Sequence, residues 1–302
     1  MTILAPGLSW VDLLLLGQPS AIATAIVRSH GMMALIDPGP SSCLETLDRG
    51  LQQQGLQLSD VTHVLLTHIH LDHAGATGSI VRRHPHVQVF VHERGAVHMA
   101  DPEKLISSAA RLYGDQMERL WGEFAPVPEQ NLTALVGGER IEAGGRTFEV
   151  AYTPGHASHH LSYYDRLSGV AFVGDAAGMC IDDGYVLPPT PPPDIDIEAW
   201  GRSVRLIEAW SPKTLFLTHF GPAPSAGHLE VFLQNLDVIA GLVRIGLSEP
   251  GTDEEKSRNF SDALQCELRK QMTEEQIATY IATAPPTLLW LGLARYWRKR
   301  RD

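Results

Sequence analysis

Residues 63–75 read HVLLTHIHLDHAG, which places His68, His70, Asp72 and His73 within six positions directly behind an apolar run. Imidazole rings and a carboxylate at that density cannot enter a core without partners. Either the segment is a solvated turn, or a positive charge gathers the side chains. At this chain's histidine and aspartate content an HxHxDH string arises by chance about 0.002 times per chain, which favours the second reading. Alternate residues of extended backbone point the same way, so His68 and His70 can converge on one point. Asp72 and His73 lie where the chain must turn and can face a second point nearby. Imidazole nitrogen and carboxylate oxygen suit zinc, iron and manganese alike.

Four ligands are too few for two metals, and the sequence offers more on distant loops. YTPGHASHH sets His156 after an apolar run and a Pro-Gly turn. VAFVGDAAG sets Asp175, and LFLTHFGP sets His219, each at the end of an apolar run before glycine-containing turns. Singly, each is a capping or turn residue as readily as a ligand. Together they repeat the geometry of the first loop.

The elements that must carry these loops are short. VDLLLLG, AIATAIVRSH and MMALIDPGP read as strands, with Ser41 or Ser42 capping a helix that runs to about Gln54 and stops at Gly55. VTHVLLT is a strand, AGATGSIVRRH a helix and VQVFVHE a strand, and residues 94–134 form a mostly helical excursion. Strands resume with TFEVAYT, LSYYD, VAFVGD and TLFLTHF, and a helix from about Asp196 to Trp210 precedes the last. Interleaved strands and helices indicate an α/β architecture, and the hairpins argue against a purely parallel sheet. From about residue 226 apolar positions recur at helical spacing, which divides the chain into 1–225 and a helical region 226–302.

Composition narrows the function. With 44% hydrophobic and 20% charged residues, the 302-residue chain is an ordinary globular protein. A net charge of −11 argues against a nucleic-acid partner, and the basic run RYWRKRR reads as a solvated helix end. Cys43, Cys180 and Cys266 are odd in number and far apart, which fits a reducing compartment, the cytoplasm. The opening segment MTILAPGLSWVDLLLLG lacks a basic start and reads as a strand, and no run approaches the roughly 20 apolar residues of a membrane span. No GxSxG stretch suggests a serine nucleophile.

The series HxHxDH, TPGH, GD and THFGP resembles the metallo-β-lactamase-fold hydrolases over about residues 8–225. That resemblance implies a four-layer αββα sandwich with metals at one edge between two β-sheets and a C-terminal helical appendage. It implies one metal held by His68, His70 and His156, a second held by Asp72, His73 and His219, and Asp175 bridging both. The cofactor expected is two divalent transition-metal ions, zinc first, with iron or manganese as alternatives. Such a pair, roughly 3.5–4 Å apart, generates hydroxide near neutral pH, and Asp72 would orient it or shuttle its proton. Asp37 is expected to accept from a ligand imidazole or else to be a plain turn residue. His160 resembles a recurrent partner in glyoxalase-II-like members, whereas His159 and His63 read as surface or sheet residues.

Among such hydrolases, Asp175 stands where true β-lactamases carry Cys or His. His70 stands where flavodiiron-type members carry Glu, and no large basic insertion marks an RNA-processing enzyme. The expectation is therefore a dinuclear hydrolase of a small acyl ester or thioester, acting through a metal-bridging hydroxide, in the glyoxalase-II-like and quinolone-signal-response-thioesterase-like branch. A lactonase and a single-iron persulfide dioxygenase are the alternatives. The C-terminal helices should cover the mouth of the site. AAGMCIDDGYVLPPTPPPDID should form a stiff rim, with Tyr185 reaching a substrate oxygen. A small molecule is the expected partner, with no nucleic acid and no membrane, and the apolar faces of the last helices suit a homodimer.

Overall fold

The computed structural model describes residues 2–300; Arg301, which ends the basic run, lies outside them. The first sheet runs in spatial order β1 (Thr2–Ala5), β2 (Leu8–Asp12), β3 (Ala23–Ser29), β4 (Met32–Ile36), β5 (Val61–Leu65), β6 (Gln88–His92) and β7 (Leu132–Leu135). Its first four strands are antiparallel and the remaining pairings are parallel. The parallel pairings need crossovers, supplied by α1 (Leu44–Gln52), by α2 (Leu71–Ala74) with α3 (Thr77–Arg83), and by α4 (Glu93–Ala100), α5 (Glu103–Tyr113) and α6 (Met117–Trp121). The second sheet holds β8 (Arg140–Ala143), β9 (Arg146–Tyr152), β10 (Leu161–Asp165), β11 (Val170–Phe172), β12 (Thr214–Leu217) and β13 (Gly221–Pro224), each beside the next. Only β11 and β12 pair in parallel, and α7 (Ile197–Ala209) crosses between them.

Strand periodicity sorts side chains into layers. On β3, Ala25 and Val27 face the second sheet, where Phe148, Tyr163, Phe172 and Phe216 meet them, while Ile26 faces the helices outside. On β12, Phe216 points inward and Leu215 and Leu217 point out, toward α7 and the last helices. The result is the four-layer αββα sandwich. Its outer layer on the second sheet includes α8 (His228–Ser248), α9 (Asp253–Leu268), α10 (Glu274–Thr283) and α11 (Pro286–Arg298).

The 21 residues of α8 are long and apolar enough in composition to cross a membrane. Here Phe232, Leu236, Ile239 and Val243 are buried in one cluster with Val173, Leu217, Trp200 and Trp290. The C-terminal helices therefore share a core with the second sheet.

Two local expectations need correction. VDLLLLG is not a continuous strand: β2 ends at Asp12, whose carboxylate accepts the N–H groups of Leu14 (3.0 Å) and Ser20 (2.9 Å) and turns the chain. Leu14 and Leu16 then take positive φ values of 48° and 54°. Neither Ser41 nor Ser42 caps α1; their hydroxyls donate to the carbonyls of Glu123 (2.5 Å) and Leu120 (2.6 Å), tying the start of that helix to α6.

Candidate metal centre

The loops that carry the candidate ligands leave the C-terminal ends of β5, β9, β11 and β12, at one edge of the sandwich. After β5 the chain bends at Thr67, His70 is again extended, and α2 starts immediately, with Asp72 and His73 in its single turn. The TPG turn before His156 requires its glycine. Gly155 has φ +143°, and a Cβ there would lie 2.3 Å from that of Trp200. Gly174, before Asp175, has φ +48°, and its Cβ would meet Thr67 Oγ1 at 2.4 Å. Both glycines let neighbouring elements approach the ligand loops at backbone distance.

The seven side chains converge in three overlapping triads, His68/His70/His156, His68/His73/Asp175 and Asp72/His73/His219. His70 Nδ1 lies 3.0 Å from His68 Nε2 and 2.9 Å from His156 Nε2. Asp72 Oδ2 lies 3.3 Å from His219 Nε2 and 3.8 Å from His73 Nε2. Asp175 stands between the groups: Oδ2 is 3.3 Å from His156 Nε2, while Oδ1 is 3.3 Å from His73 Nε2 and 3.7 Å from His219 Nε2.

Partners behind the rings set which nitrogen is bare. A carbonyl can only accept, so the Pro189 carbonyl, 2.8 Å from His156 Nδ1, and the Ala21 carbonyl, 2.6 Å from His219 Nδ1, hold the proton on Nδ1. The Asp37 carboxylate does the same for His73 Nδ1 at 2.8 Å. Thr67 Oγ1 donates to Asp37 at 2.7 Å, which leaves its oxygen to accept from His68 Nδ1 at 3.1 Å. Each Nε2 is thereby a lone pair aimed at the centre. His70 Nδ1 faces the Nε2 lone pairs of His68 and His156 at about 3 Å, where one N–H can satisfy one of them fully and a cation can engage all three nitrogens. His73 Nε2 and Asp175 Oδ1 are buried with no hydrogen-bond partner, a cost borne only where something else fills that role. These residues fit the binding of divalent metal at this centre.

Asp37 organises the Asp72/His73/His219 group. In a left-handed conformation (φ 51°) its carboxylate accepts from the Thr67 amide (2.8 Å), Thr67 Oγ1, Thr218 Oγ1 (2.8 Å) and His73 Nδ1. His160 supports Asp175 through the backbone: its Nε2 accepts the Asp175 amide at 3.2 Å and its Nδ1 faces Thr153 Oγ1 at 2.9 Å.

Electrostatics separate the groups. Burial, reinforced by neighbouring imidazoles, holds His68 well below the usual histidine range and takes His70 down to about 4, keeping both neutral as ligands must be. At His73 burial acts downward too, but Asp175, Asp72 and Asp37 outweigh it and raise the ring well above its ordinary value. Burial opposes ionisation of Asp175, yet His73, His156 and His219 hold it well below the carboxylate range. The carboxylates thus favour a positive charge at this spot, whether a proton on His73 or a cation at Nε2.

The centre opens into a cavity of about 660 Å³. Asp72 is the more open carboxylate, with 24% of its side chain exposed against 4% for Asp175. Pro189 and Pro191–Pro193 line the cavity as a rim, and Ala282–Leu289 of the C-terminal helices form part of its wall. Tyr185 is not part of that rim. The Met179–Leu187 bridge folds it into the C-terminal core, where it is 1% exposed beside Met272. His63 stacks on Phe90 in the sheet, whereas His159, read as a surface or sheet residue, lines the cavity with its ring 5.7 Å from that of His70. Sequence reasoning missed Thr67 and Thr218, although a Thr-His pair at both positions was a visible signal. It also missed the carbonyls of Ala21 and Pro189, for which no signal exists.

A family model described as the metallo-beta-lactamase superfamily matches residues 18–219. The metallo-beta-lactamase fold-containing protein ST1585 of Sulfurisphaera tokodaii is 28% identical over 226 residues, which cover 73% of this chain and 82% of that protein. A hydroxyacylglutathione hydrolase of Legionella pneumophila (strain Lens) is 27% identical over 154 residues, 51% of this chain and 46% of that enzyme, so the chain spans less than half the length of that relative. Among solved structures, the metallo-beta-lactamase family protein TTHA1429 of Thermus thermophilus superposes with a TM-score of 0.73 at 23% identity, covering 99% of this chain and 95% of that one.

Proposed function

The chain belongs to the metallo-beta-lactamase superfamily, and from that premise we propose that it is a dinuclear metal-dependent hydrolase of an acyl ester or thioester. The observation that carries this reading is Asp175: its two oxygens face separate ligand groups, His68/His70/His156 and Asp72/His73/His219. A pair of divalent ions bound there supplies Lewis acidity, lowering the pKa of a water and polarising an acyl carbonyl. The chain's own residues do the rest. Asp72 Oδ2 belongs to the second group, which leaves Oδ1 of this partly exposed, cavity-lining carboxylate to orient the attacking water and accept its proton. Asp37, Thr67 and the carbonyls of Ala21 and Pro189 fix the ligand rings so that no reorientation is needed in the reaction. The thioester side of the proposal is supported by the hydroxyacylglutathione hydrolase relatives. Asp175 at the bridging position supports weak or absent β-lactam cleavage. The single-iron reading leaves one complete ligand group without a role. We place the protein in the cytoplasm, supported by its free cysteines Cys43, Cys180 and Cys266.

The test is metal analysis of the purified protein joined to a panel of esters, thioesters, lactones and β-lactams. Two ions per chain and turnover of an ester or thioester are expected, with Asp72→Ala reducing kcat by at least about a hundredfold. Protein loaded at both positions that cleaves no member of the panel refutes the proposal.

A further inference from the structure

The cavity in front of the metal centre is larger and less polar than a small acyl group requires. Its roughly 660 Å³ lies in the range of sites that enclose whole drug-sized molecules. Neither main wall comes from the sheets. One is the α5–α6 excursion, which contributes Leu105, Leu112 and Leu120; the other is the α10–α11 junction, which contributes Pro285 and Leu288. A two-carbon acyl group on the metals would leave both walls wet, and apolar surface facing water contributes nothing to binding.

The same cavity carries charged side chains. Arg94 on α4 and Lys104 at the start of α5 both line it. Among the described residues neither forms an ion pair with a carboxylate; the Arg94 guanidinium donates to Tyr152 Oη at 3.1 Å and the Ser158 carbonyl at 3.5 Å and lies over the Tyr152 ring at 5.8 Å. Asp194 lines the cavity too, but its carboxylate accepts from Ser158 Oγ at 2.5 Å. Both cations are solvent-exposed and share the cavity lining with Asp72, Asp175 and Asp194; with Asp72 and Asp175 directed at the metal centre, Arg94 and Lys104 are the lining cations open to an anionic ligand group.

We propose that the substrate is an amphiphile: an acyl chain of about eight carbons or more, held between the α5–α6 and α10–α11 walls, esterified to a carrier whose phosphate or carboxylate is held by Arg94 and Lys104. This rests on the hydrolase reading above and specifies the substrate of that same site. The scissile acyl carbon would lie at the metal ligands, with the acyl chain toward the apolar walls and the carrier toward Arg94 and Lys104. Hydrolysis adds water across the acyl–sulfur or acyl–oxygen bond, so a fatty acid leaves from one side and the anionic thiol or alcohol from the other.

The experiment measures binding without turnover. Ethyl, octyl and dodecyl thioethers of coenzyme A (phosphorylated), glutathione (carboxylated) and N-acetylcysteamine (uncharged) have no thioester carbonyl to attack. They are titrated calorimetrically into the metal-loaded protein. Full burial strengthens binding roughly fourfold per methylene, so octyl is expected to bind at least about tenfold tighter than ethyl on a given carrier. An anionic carrier should gain roughly tenfold over the neutral one, and the preferred anion tells phosphate from carboxylate. Lys104→Glu combined with Arg94→Glu should abolish the carrier preference and keep the chain-length gain. Leu112→Ser combined with Leu288→Ser should do the reverse, and Arg111→Glu, outside the lining, should change neither. Affinities flat in chain length, or equal for charged and neutral carriers, overturn the proposal. Graded thioether binding without turnover of any corresponding thioester would sink the hydrolase reading alone. Equal kcat/KM for two- and twelve-carbon thioesters with ungraded thioether binding would sink this one alone.

Discussion

Replacing Asp37 by Asn tests how the second ligand group is held. Asn keeps the shape and tolerates the left-handed backbone that Asp37 adopts, so the change isolates the charge and its acceptor capacity. The carboxylate accepts four hydrogen bonds: the Thr67 amide and hydroxyl, the Thr218 hydroxyl and His73 Nδ1. Three of the four reach Oδ2 and only the Thr67 amide reaches Oδ1, so an NH₂ facing His73 replaces the acceptor of three. Hydrogen bonds to a buried charged group contribute about 1.5–3 kcal/mol each, giving a loss of up to about 4.5–9 kcal/mol, less what the two hydroxyls regain by rotating to accept from the NH₂. The specific consequence concerns the ring. An amide N–H facing His73 donates to Nδ1, which moves the imidazole proton to Nε2 and turns a ligand lone pair into a donor. Affinity for the ion held by Asp72, His73 and His219 should fall by about 10–100-fold. Urea unfolding of chelator-treated protein isolates the first effect, and competition with a metal indicator reads the second. Unchanged affinity at the Asp72/His73/His219 position would refute the claim that Asp37 sets the His73 tautomer, even if stability falls.

Other substitutions probe separate links. Gly155→Ala puts a methyl against Trp200 at a backbone angle that L-residues avoid, and should cost about 2–4 kcal/mol in urea unfolding and displace His156; stability within about 0.5 kcal/mol of the parent would contradict the contact. Asp165→Ala strands the Arg146 guanidinium, held at 2.6 Å in a buried pair, and should destabilise by about 3–5 kcal/mol with no change in metal content. Free metal at about a hundred times its Kd should stabilise the chain by about 2.7 kcal/mol, removed by chelator; an unshifted unfolding midpoint would mean that no folded site binds it.

The chemistry of the centre was legible because it is local. HxHxDH, TPGH, GD and THFGP each bring a donor residue, a strand end and a turn within a few positions, and period-two patterning announced the strands that carry them. The same patterning misread VDLLLLG, because an apolar run does not say whether it continues as strand; the Asp12 side chain, capping two amides, decides that it turns. Tyr185 looked available because its segment is rich in proline, and only packing against the C-terminal helices shows it sealed in. Which nitrogen of each ligand is bare was equally out of reach. The groups that set it include the carbonyls of Ala21, 198 positions from His219, and of Pro189, and every residue has a carbonyl. The cavity walls also come from segments far apart in the chain, α5–α6 and α10–α11, brought to one edge by the stacking of two sheets. Residue identity determines which donors exist, because ligand chemistry belongs to single side chains. Their direction, protonation and access to substrate belong to contacts between distant segments, and those exist only once the chain has folded.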